Sequence, residues 1–268
     1  MSHASTTKRV SKIAVLVSVG RHPVSGTARY SRNDAAALTL ATRLAAQHHA
    51  TLDVLHAGEP TNPALREYLA LGAAKVEVLA VAVGDEIAPA LTARLKGYDL
   101  VLTGTRAEGT EDSGMLPYQL ADALGFALLA SAVDIEIEAD IEAAHITVRQ
   151  FLPKGLRRRV RASLPAVVAV HPMANATPRY AYAKLREGTI EPVLVSAANA
   201  SASLPWSIKP GTAKPVRLAA AEKRSGHARM LSATTTESRG GSVVIEGTSV
   251  EKAQVILAYL REHQLVDY

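Results

Sequence analysis

Residues 99–125 read DLVLTGTRAEGTEDSGMLPYQLADALG. The segment opens on a short apolar run, Leu100-Val101-Leu102-Thr103, of the kind that fills a strand buried on both faces. A polar stretch from 104 to 112 follows. Residues 113–124 then carry helix formers, with Gly125 placed to end the helix. The same strand–helix unit recurs upstream. Residues 12–19 (KIAVLVSV), 51–57 (TLDVLHA) and 76–83 are strand-like, which makes the run at Leu100 the fourth strand. Residues 34–47 and 85–96 are helical between them. Asn62 is placed to cap a helix that begins at Pro63 and ends at Gly72, with Pro inside the start and Gly past the end. Repeated strand–helix units of this length predict an α/β fold, a doubly wound parallel sheet covered on both faces by right-handed crossovers.

Downstream the pattern changes. Residues 128–170 read as strands without helices. Val133, Ile135 and Ile137 alternate with Asp134, Glu136 and Glu138, and Leu156, Val160, Ala162 and Leu164 alternate with Arg157, Arg159 and Arg161. Each run therefore has one wet face, as added antiparallel strands do. Residues 164–170 (LPAVVAV) form a further buried strand. After His171 regular structure is expected to be sparse. Residues 197–203 suit a linker, and 206–241 show neither the helical nor the strand period. Thr248-Ser249-Val250-Glu251 is a capping box. Behind it Val250, Ala253, Leu257 and Leu260 share one helix face. The expected organisation is a nucleotide-binding α/β domain over residues 1–190 and an extended C-terminal arm over 191–268. The arm's terminal amphipathic helix is expected to pack on a partner subunit.

Composition narrows the function. The 268 residues are 48% apolar and 21% charged, which excludes a wholly disordered chain. With no cysteine there is no disulfide framework, thiolate metal site or thiol catalysis. Aromatics at 4% are poor material for stacking nucleic-acid bases. No apolar run approaches the ~18 residues of a membrane span, and residues 1–12 lack an apolar signal core. A soluble, cytoplasmic protein is expected. The net charge of +5 permits an anionic partner without requiring one; residues 206–239 carry seven Lys or Arg against two Glu.

Ligands of such sheets bind beyond the carboxyl ends of the strands, where the winding reverses. The connections over 20–33 and 104–112 are long, and both would face that crevice if the first and fourth strands are neighbours. Asp112 or Ser113 is placed to cap the next helix, and Gly114 would let its first backbone N–H groups approach a phosphate. Gly104 and Gly109 have Walker A spacing, but Thr110 and Glu111 stand at the Lys and Ser/Thr positions, so nucleotide hydrolysis by that route is not expected. No G-x-G-x-x-G follows the first strand. His48-His49 read as surface at a helix end. Arg157, Arg158, Arg159 and Arg161 could meet nucleic acid, but ion pairing with the carboxylates of the neighbouring wet face, or a solvated face, is the expectation. Ser18, Ser25 and Ser113 lack a nucleophile-elbow context. No catalytic constellation or metal site is found.

The order of these motifs carries a resemblance. Asp99-Leu100-Val101-Leu102-Thr103-Gly104, then Asp112-Ser113-Gly114, then Ala121-Asp122-Ala123-Leu124-Gly125 resemble the D-L-V-L-x-G, D-[TS]-G and terminal L-G of electron transfer flavoprotein β subunits. Leu69-Ala70-Leu71-Gly72-Ala73, Leu164-Pro165-Ala166-Val167-Val168 and Pro178-Arg179-Tyr180 are similar to that family's A-L-A-M-G-A, L-P-A-V-V and P-R-Y. Order and spacing agree over residues 12–180, and 247–265 resemble the closing helix. The resemblance implies a Rossmann-type, adenine nucleotide alpha hydrolase-like fold and a heterodimeric electron carrier, not an enzyme. The α subunit would hold most of the FAD, while this chain would bury AMP and complete the flavin site. Electrons would come from a flavin dehydrogenase and go to a membrane-associated quinone oxidoreductase; no nucleic acid and no membrane span are implied. Carried over by position, AMP would contact Leu16, Asn33, Asp34, Ala35, Ala36, Ala57, Asp112, Ser113, Gly114, Met115 and Leu116. Four departures stand out. Ser18 replaces the usual Lys, the Pro after Asn is missing at Asp34, Glu111 adds negative charge, and residues 181–185 are shorter than the family's partner-recognition loop. Two other readings are a stand-alone adenine-nucleotide-binding protein or enzyme of this fold, and a nucleic-acid binder using the basic C-terminal region.

Overall fold

In Lys12–Leu16, strand β1, Ile13 and Val15 turn to one core and Ala14 and Leu16 to the other, all buried. The alternation repeats in β4 (Thr51–Gly58), β5 (Lys75–Ala80), β6 (Leu100–Gly104) and β10 (Ala166–Val170). The structure is a computed structural model. It describes residues 9–22, 24–82, 85–107, 113–138, 144–194, 225–227, 230, 246–263, 265 and 266. The chain divides into two units, residues 1–205 and 206–268.

In the first unit one core lies under α1 (Arg32–His48) and α2 (Leu65–Ala70), filled by Leu38, Leu44, Leu65, Tyr68 and Leu69. The other lies under α3 (Ala88–Leu95) and α4 (Leu116–Leu124), with Leu91, Leu95 and Leu120. Helices on both faces of parallel strands make this a doubly wound α/β fold, as expected. Counting β2 (Val19–Arg21), β3 (Ala28–Tyr30), β7 (Ala127–Glu138), β8 (His145–Phe151), β9 (Arg157–Ser163) and β11 (Thr189–Leu194), the main sheet runs β11-β5-β4-β1-β6-β10-β7-β8-β9, with β2-β3 separate. β8 is antiparallel to both of its neighbours; the other ladders of the main sheet are parallel.

The register shows that β7 folds back. Ser163 at the end of β9 opposes His145, which opposes Glu138 at the end of β7. Yet Ala166 pairs with Ala127 at the start of β7. A straight β7 would separate its ends by roughly 36 Å at ~3.3 Å per residue, whereas residues 163–166 span at most ~11 Å. The corner is at Ser131, which takes φ +56 inside the strand, and at the register shift between Ala132 and Asp134. The second half of β7 then lies beside α1, where Arg43 meets Asp134 at 3.0 Å.

Several elements differ from expectation. The first strand stops at Leu16 rather than residue 19, because Ser18 is drawn to Asp34 and Val19–Arg21 pairs with Ala28–Tyr30 as a hairpin. The fourth helix starts at Leu116, not residue 113; Pro117 fits its first turn, where no intrahelical donor is needed. The helix after Asn62 is confined to Leu65–Ala70, and Asn62 Oδ1 accepts from Ala64 N at 3.1 Å. The stretch after His171 is richer than expected. Helix α5 (Tyr182–Glu187) packs on α2, and β11 adds to the β5 edge. Two of the four arginines pair with β7 across the intervening β8, Arg159 at 3.4 Å from Glu136 and Arg161 at 3.4 Å from Glu138, whereas Arg158 donates to Gln150 of β8 and Arg157 lies over the Phe151 ring. Among the described residues no helix is long and apolar enough to cross a membrane.

In the second unit, helix α6 (Ser249–Glu262) has the expected capping box between Thr248 and Glu251, and none of its residues is buried.

Candidate functional site

β1 and β6 are neighbours, with Ile13 opposite Leu100 and Val15 opposite Leu102. From β1 the chain winds outward through α1 to β4, and from β6 through α4 to β7 on the other side. The winding reverses between them, and there the carboxyl ends of β1, β4 and β6 open into a crevice. It encloses about 720 Å³ free of atoms, its open mouth included. Leu16, Leu55, Ala57, Ile87 and Leu91 make one end apolar. The other end is bounded by Ser18, Asp34, Thr103, Gly104, Ser113 and Gly114.

The β1–α1 lip is tightly bonded. Ser31 caps α1 and is wholly buried. Asp34, in the first turn, accepts from the backbone N–H of Ser18 at 2.8 Å and from its hydroxyl at 2.5 Å. Its other oxygen accepts from Gly104 N at 2.9 Å, so one carboxylate joins the end of β1, the start of α1 and the end of β6. Tyr68, fully buried, donates its hydroxyl to Ser18 O at 2.6 Å and accepts from Ser31 N at 2.9 Å, pinning both feet of the hairpin. Burial pushes the Asp34 carboxyl up to about 6, against the pull of its hydrogen bonds with Ser18, Gly104 and Ser31. Gly104 cannot carry a side chain: a Cβ would fall 2.8 Å from Asn33 Cβ and against Asp34 Oδ1.

The β6–α4 lip depends on small residues. Gly114 takes φ +67, and a Cβ there would stand 3.1 Å from the Thr105 carbonyl. Ser113 Oγ accepts from Met115 N at 3.3 Å, leaving its own proton to donate outward. Leu116 is the first residue of α4, so its N–H has no intrahelical acceptor. The hydroxyl and that N–H, at the positive end of the helix dipole, form an anion-accepting edge. These residues fit a nucleotide monophosphate: an apolar slot at one end, uncommitted donors at the other, and no lysine between them.

His56, buried at the end of β4, forms part of the wall. Its Nδ1 lies 2.8 Å from the Val17 carbonyl, which can only accept, so Nδ1 carries the proton. Burial lowers the imidazole pKa, outweighing the bond to Val17, and keeps the ring neutral.

Of the residues singled out in the sequence, Leu16, Asp34, Ala57, Ser113, Gly114 and Leu116 come together on the wall. Asn33 stands behind it, buried, with Nδ2 donating to Arg106 O at 3.3 Å. Ala35 and Ala36 pack into the core beneath α1. Met115 is 51% exposed and off the wall. Asp112 lies outside the described residues, as do Thr110 and Glu111. Sequence reasoning missed His56, Thr103 and the Asp34–Gly104 bond; only the buried polar position of His56 within an apolar strand signalled it. No group of three His, Asp or Glu among the described residues is arranged for a metal.

The family model described as the electron transfer flavoprotein domain matches residues 25–200. The chain is 35% identical over 261 residues to "Electron transfer flavoprotein subunit beta" of Chromohalobacter salexigens, covering 95% of this chain and 96% of that one.

Proposed function

We propose, for a chain that belongs to the electron transfer flavoprotein β-subunit family, that the crevice holds AMP and that the chain works as the β subunit of a heterodimeric electron carrier. The observation that supports the AMP reading is the crevice itself: an apolar slot between β4 and α3, and donors at the start of α4 on either side of Gly114, where a Cβ would stand 3.1 Å from the Thr105 carbonyl. In this reading the base enters among Leu16, Leu55, Ala57, Ile87 and Leu91. The phosphate meets the Ser113 hydroxyl and the Leu116 N–H. Asp34 holds the two lips together through Ser18 and Gly104 and stays off the phosphate, because its oxygens are engaged. In this reading the nucleotide fills and stiffens a cleft and is not itself transformed.

FAD, shared with the α subunit, would supply the redox chemistry when bound. The chain's part is to close one side of the flavin's surroundings. Electrons would arrive from a flavin dehydrogenase and leave to a quinone oxidoreductase. Tyr180 and Tyr182, 55% and 68% exposed beside α5, suit the dehydrogenase dock. Helix α6, with Val250 and Ile256 exposed, suits packing on the α subunit as the end of a C-terminal arm over residues 191–268. Co-expression with an α subunit tests the reading. A yellow heterodimer that releases one FAD and one AMP on denaturation is expected; a colourless chain that binds neither would overturn it.

A further inference from the structure

We propose that Asp34 and Ser18 form a proton-gated anion contact: a nucleotide phosphate enters the crevice together with one proton, which Asp34 keeps, and the Ser18 hydroxyl then turns to donate to the phosphate. The proposal rests on the nucleotide reading of the crevice and deepens it.

Three observations converge on the pair. First, Asp34 is a buried carboxylate held by neutral donors alone: Ser18 N at 2.8 Å, the Ser18 hydroxyl at 2.5 Å and Gly104 N at 2.9 Å. Among the described residues no cation bonds to it. Arg106 and His56 share the wall and Arg32 begins its helix, but none pairs with it, and Tyr68 of α2 bonds to Ser18 and Ser31 instead. Second, only one of the three donors can reverse. An N–H group donates and nothing more, whereas a hydroxyl donates or accepts, so a proton on Asp34 Oδ2 is received by Ser18 Oγ. The proton of the serine is then released to point elsewhere. Third, Ser18 is half-buried and bounds the crevice at the same end as Ser113 and Gly114, so elsewhere includes the anion-accepting edge.

Electrostatics couples the two events. A phosphate at Ser113 and Leu116 brings negative charge to a crevice whose wall already holds an uncompensated carboxylate, and a like charge nearby favours the protonated acid. Burial has already pushed the Asp34 carboxyl up to about 6, so a modest further rise neutralises it near neutral pH. Proton and anion therefore strengthen one another's binding by the same factor. Nucleotide affinity rises as pH falls.

The test uses the full chain co-expressed with an α subunit, stripped of nucleotide and titrated with AMP by calorimetry from about pH 8 to about pH 5.5. Asp34→Asn is the reference, since its amide donates to Ser18 at every pH and the titration of the phosphate itself is common to both proteins. Relative to Asp34→Asn, the affinity of the wild type for AMP should rise by about five- to tenfold across that range, the linkage expected of one carboxyl whose proton affinity the phosphate raises about tenfold. Near pH ~6.5, runs in two buffers of different ionisation enthalpy should show proton uptake that Asp34→Asn lacks. Ser18→Ala should match the wild type at about pH 8, where the hydroxyl is turned to Asp34, and bind AMP roughly threefold or more weakly at about pH 5.5. Parallel pH profiles in wild type and Asp34→Asn overturn the proposal, as does an equal loss in Ser18→Ala at both ends of the range. A wild type that binds no AMP overturns the nucleotide reading and this proposal with it.

Discussion

Between β1 and α1 the chain is held by side chains, whereas between β6 and α4 it is held by glycine and by short local bonds. On the first lip Asp34, Ser18, Ser31 and Tyr68 engage one another across 16 to 50 residues of sequence. On the second, Ser113 accepts from nearby Met115, and the long-range ties reach across from the first lip, the Asn33 amide on the Arg106 carbonyl and the Asp34 carboxylate on Gly104 N. The difference separates two tasks. A lip that carries a hairpin must keep its feet fixed, and buried polar groups fix position because leaving any one unpaired is costly. A lip that meets an anion needs bare donors, and side chains that satisfied them internally would remove the site.

The largest effect should come from cutting the first lip at its centre. Asp34→Ala strips the acceptors from Ser18 N, the Ser18 hydroxyl and Gly104 N, and should destabilise the unit by about 3 kcal/mol, read in urea unfolding. Asp34→Asn sharpens the comparison through pH. The folded carboxyl titrates near 6 against 3.8 in the unfolded chain, so the folded state binds the proton more tightly. Its protonated form therefore stabilises the fold fully below pH ~3.8, and that contribution is lost as pH rises through about 6. The wild type should gain on Asp34→Asn by up to ~3 kcal/mol between pH 7 and pH 4. A constant gap across that range would show that Asp34 is not the buried carboxylate described here.

The second lip breaks by volume instead. Gly114→Val places a β-branched side chain at φ +67 and drives Cβ toward the Thr105 carbonyl. AMP retention should fall by more than tenfold, while unfolding free energy changes by only about 1–2 kcal/mol. If stability fell as far as in Asp34→Ala, the two lips would not be distinct in kind.

How much of this was legible follows the same division. The parallel strands announce themselves locally, since Ile13, Val15, Leu100 and Leu102 sit in unbroken apolar runs that only a sheet buried on both faces accommodates. The adjacency of β1 and β6, left conditional by the sequence, is set by the register of Ile13 with Leu100. The hairpin Val19–Tyr30 was hidden because its strands are three residues each and its feet are held by Tyr68, far along the chain. α5 and β11 were missed because they are short and mostly exposed, and exist by docking on α2 and β5. His56 gave little sign because its tautomer is decided by a carbonyl 39 residues away. Ser113 and Gly114 of the motif lie on the second lip, but the helix starts later than the capping pattern suggested, since Ser113 closes a turn of its own on Met115.

The smallest change is the most direct probe of what the second lip does. Ser113→Ala removes one hydroxyl from an exposed position on the crevice wall and breaks a single 3.3 Å bond to Met115 N, next to a helix already begun at Leu116. That bond is long and local, so the fold should lose no more than about 0.5 kcal/mol. If the hydroxyl donates to a phosphate, AMP affinity should still fall by roughly three- to tenfold, because a bond to a charged acceptor is stronger than the turn it replaces. The affinity loss should persist in high salt, since a short hydrogen bond inside a crevice is screened far less than a surface charge. Equal affinity in Ser113→Ala and wild type would move the anion contact to the Leu116 N–H alone, and the second lip would then act through its backbone only.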